Sequence, residues 1–540
     1  MIKLIIKYSL LLCFSFVITT QSLAQKKVKL QNADRLVGGI DASGKRFDRF
    51  VGNVVFKQNE TIIYCDSAIL FKKENLVKAF GHVKIIEGDS VTITAKRLVY
   101  KGDDKKAELR ENVVFTKLNG ATLYTDFLDY DRLRQQAKYF NGGKLVDSIN
   151  TLTSNKGYYQ VNTNMASFKK KVVGKNPDYT LKSDTLQYST KTKVVYFRDH
   201  TQLIDVEGNE FFYEEGEYNT NIRKSNLAQG EVETDSYILT GDQLLLDDLK
   251  KLYQAKGNVE LVSKEQEIII TGDNSSYQKT KGIAKVYGHA LMKKIMDLDT
   301  LFLTADTLMA IESKDPAKKR ILAYNNVRIY KSDLQGRADS LAYVTADSIL
   351  FFYRDPVLWS GGNQMTADSI NMTISNGTID KLNMNQNSFV VSLDSIDNYN
   401  QIKGRKMVAR FNKGRINKVN VDGNGESLFF ALNDEETDLV GMNKIFCSSM
   451  IINFILNKPD NISFYVKPDA SFIPPHELKD PETRLKGFNW RLTEKPTRAE
   501  MKLLEIEKKE QDKRPPVEKG RTTKGLTTKP KKLLTKPESN

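Results

Sequence analysis

Acidic residues recur along this chain at a regular spacing, and carboxylates are common ligands for cations and common groups in acid–base catalysis. Asp306 stands in the stretch LFLTADTLMA, and the same order of apolar, small, acidic and apolar residues surrounds Asp66 and Asp126. One acid in about 30 residues is too sparse for the closely spaced ligands of a calcium-binding β-roll. The spacing therefore predicts a repeated structural position rather than a metal site.

The four histidines do not suggest a catalytic group. His82 and His289 occupy a turn position where other repeats have Asn, so we predict a structural role for both. His476, in HELKD, lacks the second histidine of a zinc-protease helix. No glycine-rich phosphate loop follows a strand, and no serine nucleophile elbow is present. We predict no catalytic residue, no metal site and no cofactor, and we expect that the protein is not an enzyme.

The acidic pattern is one half of a repeat with anchors 28 to 33 residues apart. The anchor positions in this series are Asp66, Lys96, Asp126, Asn155, Asp184, Glu214, Asp242, Asp273 and Asp306. Asp347 and Asp368 continue it with spacings of 41 and 21 residues, which predict an insertion followed by a shortening. Arg405 and Ser448 mark looser copies. A fixed period over this length indicates a stacked architecture.

A second sequence motif lies between the anchors, as in VGNVVF, FGHVKI and YGHALM. Gly with Asn or His, followed by alternating apolar residues, is typical of a turn that leads into a strand. Apolar residues lie three before each anchor and two and four after it. The positions that face inward therefore change from odd-numbered offsets before the acid to even-numbered offsets after it. A bulge or bend must absorb one residue there. We predict an all-β body whose strands turn a corner at each anchor, with the acid bonded to local backbone.

The two ends of the chain have different compositions from the body. Lys3 and Lys7, an apolar run and a small-x-small site ending at Ala24 predict a cleaved secretory signal peptide. Thr497 and Glu500 form a potential capping box for a short helix. The predicted organisation is a signal peptide at 1–24, an N-terminal lead-in at 25–48, repeats at 49–312, more divergent repeats at 313–457, a Pro-rich C-terminal cap at 458–496, a short helix at 497–512 and a disordered basic tail at 513–540.

The distribution of charge and the positions of two cysteines bear on nucleic-acid binding and on disulfide formation. The formal charge is +15, but residues 513–540 concentrate nine basic against two acidic residues, so we do not predict nucleic-acid binding by the body. Cys65 and Cys447 both occupy the small position before an anchor. With at least one layer of about 4.8 Å per repeat, they lie too far apart for a disulfide. We predict two free structural thiols.

An exported all-β chain with repeating GNV and small-Asp-x-apolar-x-Tyr phrases resembles the OstA-like family, also called the LptA family. The resemblance spans roughly residues 30–450. It implies an elongated twisted β-jellyroll, two sheets open along one side in a V, whose apolar groove receives the acyl chains of lipopolysaccharide. It also implies a periplasmic location associated with the outer membrane. The implied partners are inner- and outer-membrane lipopolysaccharide transport components, with end-to-end self-association left open.

Residues two and four after the anchors are the candidates for lining this groove. They are Leu98, Tyr100, Leu128, Tyr130, Leu186, Tyr188, Leu244, Leu246, Leu308, Ile349 and Phe351. The function expected from the resemblance is a lipopolysaccharide-binding transport or bridge protein. The alternative is a structural or adhesive β-solenoid with a packed core, which binds protein or glycan on its outer surface. A groove protein should bind lipopolysaccharide or a hydrophobic dye, and a packed solenoid should not.

Overall fold

The computed structural model describes residues 27–501, apart from residues 90, 118–119, 235, 266, 297–298, 377, 413–414 and 456–457. Its described part contains 35 β-strands and five short 3-10 helices, which confirms the predicted all-β class. The predicted signal peptide, the basic tail and most of the predicted helix at 497–512 lie outside the described residues. No helix within the described ranges is long and apolar enough to cross a membrane.

The strands are numbered in chain order. The first part holds β1 (Lys29–Asn32), β2 (Arg35–Ile40), β3 (Arg46–Gln58), β4 (Thr61–Phe71), β5 (Leu76–Glu87), β6 (Val91–Lys101), β7 (Lys106–Lys117), β8 (Thr122–Asp131), β9 (Gln136–Tyr139), β10 (Gly143–Asp147), β11 (Asn150–Ser154), β12 (Lys156–Gln160), β13 (Met165–Asn176), β14 (Tyr179–Ser189), β15 (Val194–Phe197), β16 (Thr201–Asp205), β17 (Glu210–Asn219), β18 (Lys224–Glu233) and β19 (Tyr237–Asp247).

The second part holds β20 (Leu252–Ser263), β21 (Ile268–Gln278), β22 (Ile283–Ile295), β23 (Thr300–Ile311), β24 (Arg320–Lys331), β25 (Leu334–Val344), β26 (Ile349–Tyr353), β27 (Val357–Ser360), β28 (Asn363–Thr366), β29 (Ser369–Ser375), β30 (Thr378–Leu393), β31 (Tyr399–Asn412), β32 (Arg415–Leu432), β33 (Leu439–Ile455), β34 (Lys458–Tyr465) and β35 (Asp469–Ile473). The 3-10 helices are Lys279–Lys281, Pro316–Lys318, Pro475–Glu477, Asp480–Thr483 and Leu492–Glu494.

Each long strand pairs in antiparallel fashion with the strands before and after it, and bends once at a corner. In β4 the side chains of Ile63 and Cys65 are buried before Asp66, and those of Ala68 and Leu70 are buried after it. The inward parity therefore changes across the acid, as the sequence predicts. The line of corners divides the strands into two facing layers that share one core, which is the predicted jellyroll arrangement.

We call these layers sheet A and sheet B. Sheet A contains, for example, residues 67–71 and 76–80, and sheet B contains residues 61–65 and 83–87. The Phe115 ring of sheet B lies 5.8 Å from the Tyr130 ring of sheet A, in an edge-to-face arrangement. Such aromatic pairs across the interior contribute to the packing of the two sheets against each other.

The corner of β4 combines an acid, Asp66, with a bulge on the next strand. Gly81 and His82 of β5 have φ values of 71° and 36°, and together they oppose the single residue Lys96 of β6. Asp66 Oδ2 lies 2.8 Å from Nδ1 of His82. The predicted bulge is present, but the extra residue belongs to the neighbouring strand. The acid therefore bonds across strands rather than to its own local backbone.

The same corner at Asp242 gives a test of this geometry. Gly257 has a φ of 70°, and a Cβ atom there would clash with Asp242 Oδ2. Gly44 also has a positive φ, but nothing lies within 4 Å of the position that a Cβ atom would occupy there. We expect Gly257→Ala to lower the free energy of unfolding by about 2–3 kcal/mol and Gly44→Ala by about 1 kcal/mol, measured by urea denaturation. Equal losses would show that the contact with Asp242 has no effect.

The repeat is more regular near residue 340 than the sequence predicts. Asp347 lies in a tip turn between β25 and β26, so its prediction as an anchor is wrong. The corner acid is Asp339, in GRADSLAY, and its Oδ2 lies 3.3 Å from Nη1 of Arg354. The spacings from Asp306 to Asp339 and on to Asp368 are then 33 and 29 residues. No insertion is needed, because two copies of a similar phrase occur close together and only the first is at the corner.

Cys65 and Cys447, the two cysteines within the described residues, are free and buried, as predicted. Burial raises the pKa of the Cys65 thiol to about 12, and it also raises the pKa of Cys447. Because the thiolate is the reactive form, we expect neither thiol to react with a disulfide reagent at pH 8 in the folded protein. Both should react in guanidinium chloride. Fast labelling of either thiol without denaturant would contradict this burial.

Residues 478–501, which we call the strap, run along the outer face of sheet B. Leu485 is buried there beside Leu428 and Phe430, in a cluster separate from the main core. Further along the strap, Met501 packs on Leu291 of β22. The predicted capping-box contacts are present, since the Glu500 amide donates to Thr497 Oγ1 at 3.2 Å and the Thr497 amide donates to Glu500 Oε2 at 3.1 Å.

Candidate functional site

The candidate site is the space between the inner faces of sheets A and B. The structure places nine of the eleven predicted groove residues in this interior, and all nine are buried: Leu98, Tyr100, Leu128, Tyr130, Leu186, Tyr188, Leu244, Leu246 and Leu308. They bring the two sheets into contact along the stack rather than lining an empty trough. No group of His, Cys, Asp and Glu side chains among the described residues is arranged to hold a metal ion.

The other two predicted residues face the opposite way. Ile349 and Phe351 are half-buried, whereas Leu350 and Phe352 are buried in the core. The Phe351 ring stacks on the ring of Tyr353 on the outer face of sheet A, with 6.4 Å between the centroids. The register that placed Ile349 and Phe351 inside is wrong because it was counted from Asp347, which is not a corner residue.

Polar contacts close the side of the jellyroll opposite the corners. There the rim of each sheet is formed by the turns between its strands, and side chains of one rim reach the other. Gln58 donates to the carbonyl oxygen of Gly102 at 2.9 Å, across 44 positions of sequence. The Lys117 ammonium donates to the Val161 carbonyl oxygen at 2.6 Å, again across 44 positions. We call this series of contacts the latch row.

The best-buried ion pair of the latch row joins Glu87 and Arg132. Glu87 Oε1 lies 3.2 Å from Arg132 Nε, and the Arg132 side chain is only 8% exposed. Arg132 Nη1 also donates to the Tyr100 hydroxyl at 2.9 Å. Burial, and then the Glu87 carboxylate, raise the pKa of the Tyr130 hydroxyl far above its ordinary value, so that this hydroxyl stays protonated. The cluster fixes two tyrosines of sheet A against the rim of sheet B.

A second buried cluster repeats this arrangement further along the stack. The Lys193 ammonium lies 2.6 Å from both carboxylate oxygens of Asp147, and the Tyr188 hydroxyl donates to Asp147 Oδ2 at 2.5 Å. Burial, and then this hydrogen bond, raise the pKa of the Tyr188 hydroxyl. Because a charge removed from water needs a partner, each cluster strongly favours the closed arrangement of the rims.

More exposed ion pairs extend the latch row. They are Asp178 with Arg223 at 3.2 Å, Glu207 with Lys251 at 3.5 Å and with Lys279, and Glu265 with Lys319 at 3.0 Å. The described latch contacts thus run from residue 58 to residue 319. The resemblance implies an open side, and over this part of the chain the structure differs because the rims carry complementary charges.

The interior changes beyond the latch row. Its inner face on sheet A is rich in methionine: Met372, Met384, Met407 and Met450 are all buried in the main core. At the far end of the stack, Phe429 is 38% exposed, although it shares the inner face of sheet B with buried Ser427. This part of the interior is apolar and free of the buried ion pairs described above, and it is open to solvent near the rim of sheet B and at the last strands.

Sequence reasoning missed the latch row, although the sequence does contain a signal for it. Glu87 and Arg132 are 45 positions apart, and Asp147 and Lys193 are 46 positions apart, which is one and a half repeats. A strand end of sheet B therefore meets a strand end of sheet A three strands later. Opposite charges at this offset are the pattern that would have predicted the contacts.

Comparison with known proteins supports one family. The family model described as OstA-like protein matches residues 25–184 and 162–242. No curated protein matches the chain. A crystal structure of LptH from Pseudomonas aeruginosa, described as the LptA homologous periplasmic component of the conserved lipopolysaccharide transport device, matches with 15% identity. That match covers 22% of this chain and 82% of the other, with a TM-score of 0.20.

Proposed function

We propose that this chain, whose residues 25–242 match the family model described as OstA-like protein, is a periplasmic lipopolysaccharide transport protein that holds acyl chains between its two sheets. The observation that carries the proposal is the single apolar interior that continues from Phe50 to Ile452. Each methylene group transferred from water into such an interior gains about 0.8 kcal/mol. Binding of acyl chains therefore needs neither catalysis nor a cofactor.

Movement of lipid in one direction would have to come from partners. We propose that these are the inner- and outer-membrane components of lipopolysaccharide transport, with the protein exported to the periplasm and associated with the outer membrane. The stack ends in β1 and β2 on one side and in β34 and β35 on the other, and edge strands of this kind can pair with another chain. This supports a bridge role, in which the ends of the stack make the contacts.

A structural solenoid is the second candidate, and one observation favours it. The interior from residue 58 to residue 319 is packed and latched, with Tyr100 and Leu128 fully buried. A packed interior of that kind suits a spacer that binds protein or glycan on its outer surface. The two candidates differ in whether the purified protein binds a free amphiphile.

Equilibrium binding of lipopolysaccharide to the purified mature chain tests the proposal. We expect saturable binding, together with displacement of a hydrophobic dye from the protein as lipopolysaccharide is added. The control is the polysaccharide part without its acyl chains, which should neither bind nor displace the dye. Absence of saturable binding by the folded protein would exclude the transport proposal and leave the structural solenoid.

A further inference from the structure

The inner face of sheet B is more exposed on β30 to β33 than it is before residue 319. At the inward position three before the corner residue, Ile63 and Leu181 are fully buried in the first part. At the same position in the last part, Met365 is still buried, but Ile402 and Ile445, before the last two corner residues, are only half-buried. Equivalent positions of one repeat thus differ in exposure along the stack, and the inner face of sheet B becomes more accessible to solvent towards the C-terminal end.

Two continuous rows of apolar side chains cover the inner face of sheet A in this last part. Pairing of the strands places the first row in the order Ile370, Met384, Met407, Val421, Met450 and Phe464. The second row runs through Met372, Leu382, Ala409, Val419, Ile452 and Ile462. Ile462, at the end of its row, is 36% exposed. Methionine side chains are unbranched and adapt to ligands of variable shape.

The facing surface of sheet B carries small side chains near the corner and exposed rings near the rim. Ser388, Gly404 and Gly425 follow one another in register there. Phe472 of the edge strand β35 is 53% exposed and extends the inner face beside Asn443. Exposed aromatic rings on an inner face do not gain the free energy of burial. An apolar ligand that covered this surface would supply it.

A row of positive charges accompanies these strands on the outer face of sheet A. Lys381 is directly opposite Arg410, and Arg410 is directly opposite Lys418. Among the described residues, none of the three has an acidic partner within ion-pair distance. Like charges in directly opposite positions destabilise a sheet. An anionic group that bound between them would remove this repulsion.

We propose that the acyl chains of an anionic amphiphile bind in the interior between residues 363 and 473, over the methionine rows, while the latch row keeps the interior before residue 319 closed. The row of Lys381, Arg410 and Lys418 contacts the anionic head group at the rim of sheet A. Their long side chains can reach over the edge of the sheet towards it. This assignment rests on the proposed function, and it locates the binding site in the part of the chain beyond the family match.

Photo-methionine incorporated in place of every methionine tests the location. The purified full chain is mixed with lipopolysaccharide, irradiated and digested, and lipid adducts are mapped by mass spectrometry. We expect adducts at Met384, Met407 and Met450. Met292 serves as the control for the latched interior, and Met309 as the control for the outer face of sheet A. Since the replacement is nearly isosteric, folding should be retained.

The other outcomes separate this inference from the proposed function. Equal adducts at Met292 would overturn the location, because the whole interior would then take lipid. Adducts confined to Met309, or no adducts although the equilibrium assay shows binding, would overturn the interior site altogether while leaving lipopolysaccharide binding intact. Absence of binding in the equilibrium assay would instead remove the proposed function.

A charge variant tests the head-group contact. Replacing Lys381, Arg410 and Lys418 together by glutamine is expected to weaken lipopolysaccharide binding roughly tenfold, as for three exposed charge pairs. Binding of a neutral alkyl maltoside should be unchanged. A matched variant with Lys57, Lys84 and Lys175 replaced by glutamine removes the same charge from the outer face of sheet B. An equal loss in both variants would show a general charge effect and overturn the assigned contact.

Discussion

Arg132→Met is expected to lower the free energy of unfolding by about 3–5 kcal/mol, because it leaves a buried carboxylate without its counter-ion. The Glu87 carboxylate is 18% exposed and lies 3.2 Å from the Arg132 guanidinium. The same substitution removes the hydrogen bond that Arg132 donates to the Tyr100 hydroxyl. The measurement is chemical denaturation of the purified protein, followed by tyrosine fluorescence and by far-ultraviolet circular dichroism.

A double variant and an exposed pair are the controls for this prediction. Glu87→Leu combined with Arg132→Met should recover much of the loss, since no buried charge is then left unpaired. Lys45→Met should cost less than about 1 kcal/mol, because Lys45 and Glu74 form an exposed pair at 3.4 Å. If Arg132→Met were as mild as Lys45→Met, the latch row would not hold the rims together.

Gln401→Leu is expected to release the strap from the outer face of sheet B. The Gln401 side chain is completely buried and donates to the carbonyl oxygen of Thr483 at 2.8 Å. Its Oε1 accepts from the Leu485 amide at 2.8 Å. Leucine leaves both backbone groups buried without a partner, at a cost of about 1–3 kcal/mol each. We expect limited proteolysis to cleave within the strap at least tenfold faster than in the parent protein.

A half-buried glutamine on the surface provides the matched control for this substitution. Gln243 donates to the side-chain oxygen of Asn226 at 2.8 Å on the surface of sheet A. Gln243→Leu should leave the cleavage rate of the strap unchanged and alter stability by less than about 0.5 kcal/mol. Equal cleavage rates in the Gln401 and Gln243 variants would mean that the apolar contacts of Leu485 and Trp490 hold the strap without these hydrogen bonds.

The sequence predicts the fold well because the corner has a strict local requirement. A bent strand that keeps its apolar side chains inside before and after the bend must shift the alternation of inward and outward side chains by one residue. That shift is visible in the sequence at Asp66 and again at Asp242. The glycine and asparagine that precede the next apolar run have the residue types that tolerate positive φ. The error at Asp347 arose because a tip turn can carry the same small-Asp pair, and local sequence does not distinguish the two.

The closed state of the interior was not predicted because it depends on contacts between strands that are distant in sequence. Whether Glu87 faces solvent or Arg132 depends on the twist of the stack, which no single repeat encodes. The strap was missed as a covering of sheet B for a similar reason. Its apolar residues Leu485 and Trp490 are spaced irregularly, so neither strand nor helix periodicity identifies the surface on which they pack.

The most direct test of the central claim uses one adjacent pair of residues in living cells. A photo-crosslinking amino acid is placed at Met450, which faces the interior, or at Ile451, which faces outward from the same strand. After irradiation, the protein is immunoblotted for lipopolysaccharide. We predict an adduct at Met450 and none at Ile451. An adduct of equal intensity at both positions, or none at Met450 in a folded and exported protein, would contradict the binding of acyl chains between the two sheets.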